Sequence, residues 1–287
     1  MSLLLSVDFE DWHQLVRRRV GAGNWAEPGP ALARQTEAML ALFDELGVRC
    51  TFFVLGMAAR AHPSLVAELA GRGHEIACHG DAHLPVFTQT RSEFAADVRA
   101  ARETIEGLTG RRPVGYRAPA FSVNRDTPWW PEVLAEEGFL YDSSASDAFV
   151  VPDRVGTGAG EPHTLAGGRL WEFPIASWRR GRLRLPVGGA SYWSFAPTPL
   201  LLRVLDQAGA YPALYLHPNE LDPERLDPEL PAGVGARGRA QAAARTVQRN
   251  LARSRAATVL RAIAQRFELI TYGHAHERLS HSSPKGS

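Results

Sequence analysis

The chain has 287 residues, of which 45% are hydrophobic and 22% are charged, and its formal net charge is +1. This length and composition allow one large barrel or two smaller domains, and the near-zero charge provides no global field that would attract nucleic acid. No run of about 18 apolar residues predicts an integral membrane segment, and Met1–Val7 is too short for a signal-peptide core. We therefore expect a cytoplasmic protein.

The first predicted strand is followed closely by three acidic residues. Leu3–Val7 is an apolar run typical of a buried strand, and Asp8, Glu10 and Asp11 come directly after it. In parallel α/β folds the loops at the carboxyl ends of the strands carry the chemistry, so these acids are candidate site residues. The alternative is that they cap a helix and occupy its first turn.

The next segments predict a loop, a helix and a second strand. Trp12–Pro30 contains several glycines and prolines and is predicted to be irregular. Leu32–Leu46 has apolar residues at helical spacing and ends at Gly47, a residue typical of a helix C-terminus. Val48–Leu55 is rich in residues that favour strands.

A third predicted strand, His74–Cys78, leads into two histidines, His79 and His83. Residues four apart in a helical turn project from the same face, so these imidazoles could converge on one metal ion while a third ligand comes from elsewhere. The alternative interpretation is a polar loop after a strand.

Helices and strands continue to alternate to the end of the chain, which predicts parallel pairing with right-handed crossovers. The predicted helices are Thr90–Leu108, Trp129–Glu137, Pro197–Ala208 and Ala242–Gln265, and the strands are Val114–Tyr116, Phe139–Tyr141, Leu170–Pro174, Ala213–Leu216 and Phe267–Thr271. Candidate site residues follow five of the strands, which favours one barrel over residues 1–275. We expect a surface loop over Ala145–Gly168, a solvated helix face in the arginine-rich stretch Arg237–Arg261, and a flexible tail over residues 276–287.

Five motifs in order resemble those of the polysaccharide deacetylases, carbohydrate esterase family 4. They are Asp8 with Glu10 and Asp11, His79-x-x-x-His83, Arg117-Ala118-Pro119, Tyr141-Asp142-Ser143-Ser144 and Leu216-His217-Pro218. The resemblance covers the chain from Leu3 to Pro218 and is greatest for the branch found with bacterial exopolysaccharide export loci. It implies an irregular (β/α) barrel of about seven parallel strands, with the site at their C-terminal ends.

The resemblance also implies a divalent metal ion, with zinc expected first. His79 and His83 would bind it together with one carboxylate. In many relatives an aspartate stands where this chain has Phe9. Other relatives use an Asp-x-Asp pattern, which makes Glu10 the expected third ligand by strand alternation and leaves Asp11 as the alternative.

The remaining motif residues receive roles from the same resemblance. Asp8 would be the general base, and Arg117 would pair with it and keep it ionised. His217 would be the general acid that protonates the departing amine, and Asp142 would orient this histidine. The expected substrate-binding residues are Pro119, Phe121, Trp171, Gly189 and Tyr192.

These assignments predict a metal-dependent hydrolase that removes acetyl groups from N-acetylated sugars of a bacterial polysaccharide or its precursor. Two alternatives remain open. One is hydrolysis of another C–N bond, such as that of a cyclic amide, and the other is a catalytically silent barrel that binds a glycan.

Overall fold

The computed structural model describes residues 1–146, 160–181 and 183–282. The strands in these ranges are β1 Ser2–Phe9, β2 Thr51–Val54, β3 Glu75–Cys78, β4 Gly115–Tyr116, β5 Tyr141–Asp142, β6 His163–Leu165, β7 Leu170–Glu172, β8 Ser177–Arg180, β9 Leu183–Pro186, β10 Ala213–Leu216 and β11 Glu268–Ile270. The helices are α1 Trp12–Arg19, α2 Leu32–Leu46, α3 Gly56–Ala61, α4 Pro63–Gly71, α5 Arg91–Thr109, α6 Trp130–Glu136, α7 Ala190–Trp193, α8 Thr198–Asp206, α9 Ala236–Ala252, α10 Ala256–Arg266 and α11 Tyr272–Ser282.

A large curled sheet organises the fold, and its strands run in the order β10-β1-β2-β3-β4-β5-β7-β6, while β8 and β9 form a separate two-stranded sheet. All neighbours along this path are parallel except β6, which is antiparallel to β7, and β11 also pairs in parallel with β1. Isolated parallel bridges from Ile175 to Ser146 and to Ala213 link the β7 side of the sheet to β10. The sheet is therefore an irregular barrel, and the predicted fold, with seven parallel strands along this path, is confirmed.

Strand β1 shows how alternation separates the two faces of the sheet. Leu3, Leu5, Val7 and Phe9 belong to the outer core, which lies between the sheet and helices such as α2 and α10. Leu4 points the other way, into an interior cluster with aromatic residues from several strands. The barrel interior is thus apolar near the start of β1 and becomes polar toward its end.

Most predicted elements are present, and two helices show at their ends the capping signals that the sequence carries. Helix α5 begins with a capping box in which the Thr90 hydroxyl and the Glu93 carboxylate satisfy each other's backbone N–H groups. Helix α2 ends at Gly47, whose φ of 63° is in the left-handed region that glycine tolerates. These local signals explain why pattern alone located both helices.

Four segments differ from the sequence prediction. The predicted loop Trp12–Pro30 begins with helix α1, and the predicted helix Ala242–Gln265 is divided between α9 and α10. Helix α11 extends to Ser282, so much of the predicted tail is helical. Of the predicted loop Ala145–Gly168, residues 147–159 lie outside the described residues, and part of the remainder forms β6.

His74 is a buried histidine in the outer layer of the fold. Its ring packs against Phe43 and Phe52, and its Nδ1 accepts a hydrogen bond from the backbone N–H of Cys50 at 3.3 Å. Burial lowers the pKa of His74 to about 4, because the apolar surroundings disfavour the charged imidazolium. The folded protein therefore keeps this side chain neutral where the unfolded chain binds a proton.

This difference predicts a pH-dependent loss of stability. The free energy of unfolding should fall as pH decreases from about 6.5, the ordinary histidine value, toward about 4, because only the unfolded state gains the proton. His74→Gln keeps a hydrogen-bond acceptor and does not titrate, so its curve should lack this component. Urea unfolding of both proteins across this range measures the difference, and parallel curves would contradict the prediction.

Candidate metal centre and active site

Three side chains at the C-terminal edge of the sheet could hold a metal ion. Glu10 follows β1, and His79 and His83 lie in the loop after β3. One ligand atom from each lies within 4.8 Å of the other two. The Glu10 Oε2 atom is 2.9 Å from His83 Nε2 and 3.6 Å from His79 Nε2.

His79 and His83 converge through a loop. The expectation that their four-residue spacing places them on one face of a helical turn is therefore wrong. His83 has a φ of 53°, and Gly80, between the two histidines, has a φ of 77°. A Cβ at Gly80 would lie 2.8 Å from a carboxylate oxygen of Asp97. Arg18 of α1 fixes the other end of the loop by donating to the carbonyl oxygen of His83 at 3.2 Å.

Hydrogen bonding at His79 suits a metal ligand. Its Nδ1 lies 2.8 Å from the carbonyl oxygen of Arg117, and a carbonyl can only accept, so Nδ1 carries the proton. The lone pair therefore lies on Nε2, which faces Glu10. This arrangement, in which the second ring nitrogen donates to a carbonyl, is common among metal-binding histidines.

Glu10 is suited to the same role by its charge. Burial alone raises the pKa of Glu10, but the neighbouring imidazoles of His83 and His79 lower it well below its usual range. The carboxylate therefore stays ionised in a buried position. Two neutral imidazoles and one carboxylate are a ligand set that catalytic zinc sites use, so the residues present fit a divalent ion.

Asp11 lies outside this cluster because it caps a helix. Its carboxylate accepts hydrogen bonds from the backbone N–H of His13, at 2.8 Å, and from that of Gly29. It is the N-cap of α1. The capping interpretation of the acidic cluster is therefore right for Asp11, whereas Asp8 and Glu10 face the site. Phe9 points into the outer core between them.

Asp8 and Arg117 form a buried ion pair beside the cluster. Arg117 Nη1 lies 2.6 Å from Asp8 Oδ1 and 2.8 Å from the Ser6 hydroxyl, and its Nη2 donates to the hydroxyls of Ser143 and Tyr272. Burial disfavours the Arg117 charge, yet Asp8 raises its pKa above the ordinary value. In the described residues Asp8 has no other side-chain hydrogen bond, so its second oxygen is available at the cavity.

His217 follows β10 and pairs with a carboxylate three residues later. Its Nδ1 lies 3.2 Å from Glu220 Oε2, and its Nε2 lies 3.4 Å from Glu10 Oε1. Burial lowers the pKa of His217, but the adjacent Glu220 reverses this and raises it above the ordinary value. Burial raises the pKa of Glu220, but His217 and, less strongly, Arg249, which lies 3.1 Å from the other Glu220 oxygen, lower it to about 2.

Asp142 does not occupy the position beside His217 that the sequence prediction gave it. One oxygen accepts from the Trp130 indole at 2.9 Å and the other from the Ser144 hydroxyl at 2.6 Å. Asp142 and the neighbouring Glu172 are both fully buried, and burial raises the pKa of both carboxyls. Glu220 stands beside His217 instead, because the short turn after β10 returns it to the histidine.

The cluster, the Asp8 side chain and His217 line one cavity of about 280 Å³. Of the predicted substrate-binding residues, Phe121 and Tyr192 line this cavity. The other three do not line it in the described part of the chain. Pro119 is buried beside Gly80, Trp171 packs on the sheet, and Gly189 makes room for the ring of Tyr215.

The cavity wall contains unusual backbone conformations. His83, Ala120 and Phe121 each have a φ of 53°, in a region that residues with a Cβ rarely adopt. All three line the cavity. Such strain persists only where surrounding structure enforces it, and it concentrates at functional sites.

Comparison with known proteins identifies the central part of the chain. The family model described as "Polysaccharide deacetylase" matches residues 27–137. Residues 27–137 belong to the polysaccharide deacetylase family. This deacetylase segment contains His79, His83 and Arg117, whereas Asp8 and Glu10 precede it. A second model, a domain of unknown function named DUF3473, matches residues 150–276, which contain His217 and Glu220.

Named relatives agree with this assignment. The chain is 35% identical over 111 residues to a peptidoglycan deacetylase-like protein of Gibberella zeae, a match covering 38% of this chain and 32% of that protein. It is 29% identical over 106 residues to a peptidoglycan deacetylase of Helicobacter pylori, covering 37% and 35%. The matches thus span about a third of the length of these curated relatives.

A solved structure shares the whole fold. The crystal structure of a putative polysaccharide deacetylase from Mycobacterium smegmatis superposes with a TM-score of 0.61 at 21% identity, covering 99% of this chain and 93% of that one. At this identity the comparison supports the fold alone, including the strands of the barrel that the deacetylase segment does not cover.

Glu220 received no role from the sequence, although a signal was present. It lies three residues after His217 in Leu-His-Pro-x-Glu, a spacing that lets a short turn return the carboxylate to the histidine. Ser6, Ser143 and Tyr272, which surround Arg117, carry no comparable signal because their contacts span the chain.

The described part of the chain contains no helix with the length and apolar character that a membrane span requires.

Proposed function

We propose that the chain is a metal-dependent hydrolase that removes acetyl groups from N-acetylated sugars of a bacterial polysaccharide or its precursor. One observation supports this most strongly. The Glu10, His79 and His83 cluster opens into the same cavity as the Asp8–Arg117 pair and the His217–Glu220 pair. A candidate ion site, a carboxylate base and an imidazolium acid therefore surround one space.

The ion would be held by Glu10, His79 and His83, and zinc is the metal that this ligand set suits best. A bound ion supplies Lewis acidity toward an amide carbonyl and lowers the pKa of water to about 7. The hydrogen bond from His79 Nδ1 to the Arg117 carbonyl selects the tautomer whose Nε2 lone pair is free to bind the ion.

The protein side chains handle the protons. Asp8, paired with Arg117, accepts a proton from the attacking water through the oxygen that Arg117 does not contact. Burial lowers the pKa of His217, but Glu220 raises it above the ordinary value. His217 therefore begins protonated and gives its proton to the amide nitrogen as the C–N bond breaks. The products are acetate and a free sugar amine, so one water molecule is consumed for each acetyl group removed.

The nature of the sugar polymer rests on the relatives. Two of them are named as acting on peptidoglycan or resembling such enzymes, and a third, from Rhizobium leguminosarum, is named a chitooligosaccharide deacetylase. N-acetylated sugars are the shared chemistry in these names. The export-locus likeness of the motifs extends the proposal to an exopolysaccharide as the natural substrate.

The direct test is acetate release from N-acetylglucosamine oligomers by zinc-loaded protein, beside protein treated with a chelator. We expect release only from the loaded protein, and its restoration when zinc is returned. Absence of acetate from every oligomer by fully loaded, folded protein would reject the proposal. Sugar binding without hydrolysis would then favour the silent glycan-binding barrel.

Replacing Glu220 by glutamine should weaken catalysis without removing the metal. The substitution removes the charge that raises the pKa of His217 and loosens the hydrogen bond that orients its ring. Loss of such a supporting contact typically costs about 10- to 100-fold in activity. Glu224→Gln, at an exposed glutamate nearby, is the matched control. Equal zinc content with unchanged acetate release in Glu220→Gln would contradict the assigned role.

A further inference from the structure

A second cavity, of about 290 Å³, adjoins the one that contains the cluster. Glu10, Leu15, Arg19, Tyr192 and Arg249 line both, so the two form one continuous cleft. The second cavity also contains Arg245. We call this part, bounded by Arg19, Arg245 and Arg249, the arginine cleft.

Helix α9 presents one of its faces to the arginine cleft. Arg245, Gln248, Arg249 and Ala252 line it, and they follow the i, i+3, i+4, i+7 spacing of a single helix face. The sequence interpretation of the arginine-rich stretch was a solvated helix face. These four residues instead form the wall of a cavity, and they belong to the segment matched by DUF3473.

The positive charge in the arginine cleft is only partly balanced. Arg249 is satisfied by Glu220 and by the Ser191 hydroxyl. In the ranges that the structure describes, the guanidinium groups of Arg19 and Arg245 have no acidic partner. Partial burial and the nearby charges of Arg19 and Arg249 lower the pKa of Arg245, because like charges disfavour its charged form. An anion in the cleft would relieve this repulsion.

Aromatic surface lies beside these cations. Phe195 lines the arginine cleft and is 70% exposed, and Tyr192 stands where the two cavities meet. Aromatic faces stack well on the apolar faces of sugar rings, and guanidinium groups bind carboxylate and phosphate oxygens through paired hydrogen bonds. The cleft therefore combines contacts for a ring and for a charged substituent.

We propose that the arginine cleft binds a negatively charged group, a carboxylate or a phosphate, on a sugar next to the N-acetyl group at the cluster. The inference rests on the proposed function for its placement of the N-acetyl group and goes beyond it in substrate class. The preferred glycan is acidic, and a neutral N-acetylated oligomer is the poorer ligand.

Calorimetric binding to zinc-loaded protein tests the inference with three matched sugars. They are N,N′-diacetylchitobiose, the disaccharide in which one ring is N-acetylmuramic acid, and N,N′-diacetylchitobiose 1-phosphate. At least one charged sugar should bind about 10-fold tighter than the neutral one, the gain typical of a charge-assisted hydrogen bond. Arg245→Gln should remove this gain and leave binding of the neutral sugar unchanged.

Arg237→Gln is the matched control, because it removes the same charge from the exposed first turn of α9, outside the cleft. It should keep the preference. If only the muramic sugar binds more tightly than the neutral one, the cleft binds a carboxylate. If only the sugar phosphate does, the cleft binds a phosphate. Equal binding of all three sugars, or a preference that survives Arg245→Gln, overturns the inference. Acetate release from the neutral sugar is measured separately, so failure of hydrolysis and failure of anion preference are distinguishable.

Discussion

Glu10→Gln is expected to lose the bound metal ion, whereas Asp11→Asn is expected to retain it. Glu10 Oε2 lies 2.9 Å from His83 Nε2, and glutamine offers only a neutral oxygen there. Asparagine at position 11 still caps α1, so this control removes one carboxylate charge without removing the helix cap. The two acids are one residue apart, which makes the comparison sharp.

Elemental analysis after zinc loading and removal of free metal provides the measurement. Wild type and Asp11→Asn should contain about one zinc per chain, and Glu10→Gln and the His79→Ala/His83→Ala double variant almost none. Retention of zinc by Glu10→Gln together with its loss from Asp11→Asn would move the third ligand to Asp11. No zinc in the wild type would remove the basis for metal-dependent hydrolysis.

Asp8→Asn should abolish most acetate release while leaving zinc in place. The substitution keeps the size of the side chain and an oxygen near Arg117, but it cannot accept the proton that hydrolysis requires. Loss of a positioned general base typically costs about 10²- to 10⁴-fold in rate. We expect the effect on the chemical step to exceed the effect on sugar binding.

Stability must be measured in the same variant. Breaking a buried ion pair can cost about 3–5 kcal/mol, because the remaining charge loses its partner. Thermal unfolding should therefore show a lower midpoint for Asp8→Asn, and assays should be run well below it. Asp206→Asn, which breaks the exposed ion pair with Arg266, is the control, and its unfolding midpoint should stay close to that of the wild type. Normal acetate release by folded Asp8→Asn would exclude this carboxylate as the base.

The sequence indicated the barrel and the strand ends that meet at the site because these depend on local patterns. Buried parallel strands appear as short apolar runs, and each run before Asp8, His79, Arg117 and His217 was visible in this way. Alternation along β1 also distinguished Glu10 from Phe9. These features need no knowledge of distant contacts.

Other parts of the site could not be obtained from local pattern. Glycines and prolines after position 20 obscured helix α1, and Asp11 showed its capping role only once that helix was known. The partners of Asp142 come from α6 and from the loop directly after its strand, so sequence order gave no reason to separate it from His217. The cleft-facing side of α9 depends on how the helix packs, which the arginine spacing alone does not determine.

The distance along the chain between the ligands has a consequence for folding. Glu10 and the histidines come together only when β1 and β3 flank β2 in the closed sheet. The unfolded chain has no such arrangement, so a bound ion would favour the native state by mass action, by about 2.7 kcal/mol at an ion concentration 100 times its dissociation constant. Ion binding and closure of the barrel are then coupled, so the fraction of folded protein rises with the concentration of the ion.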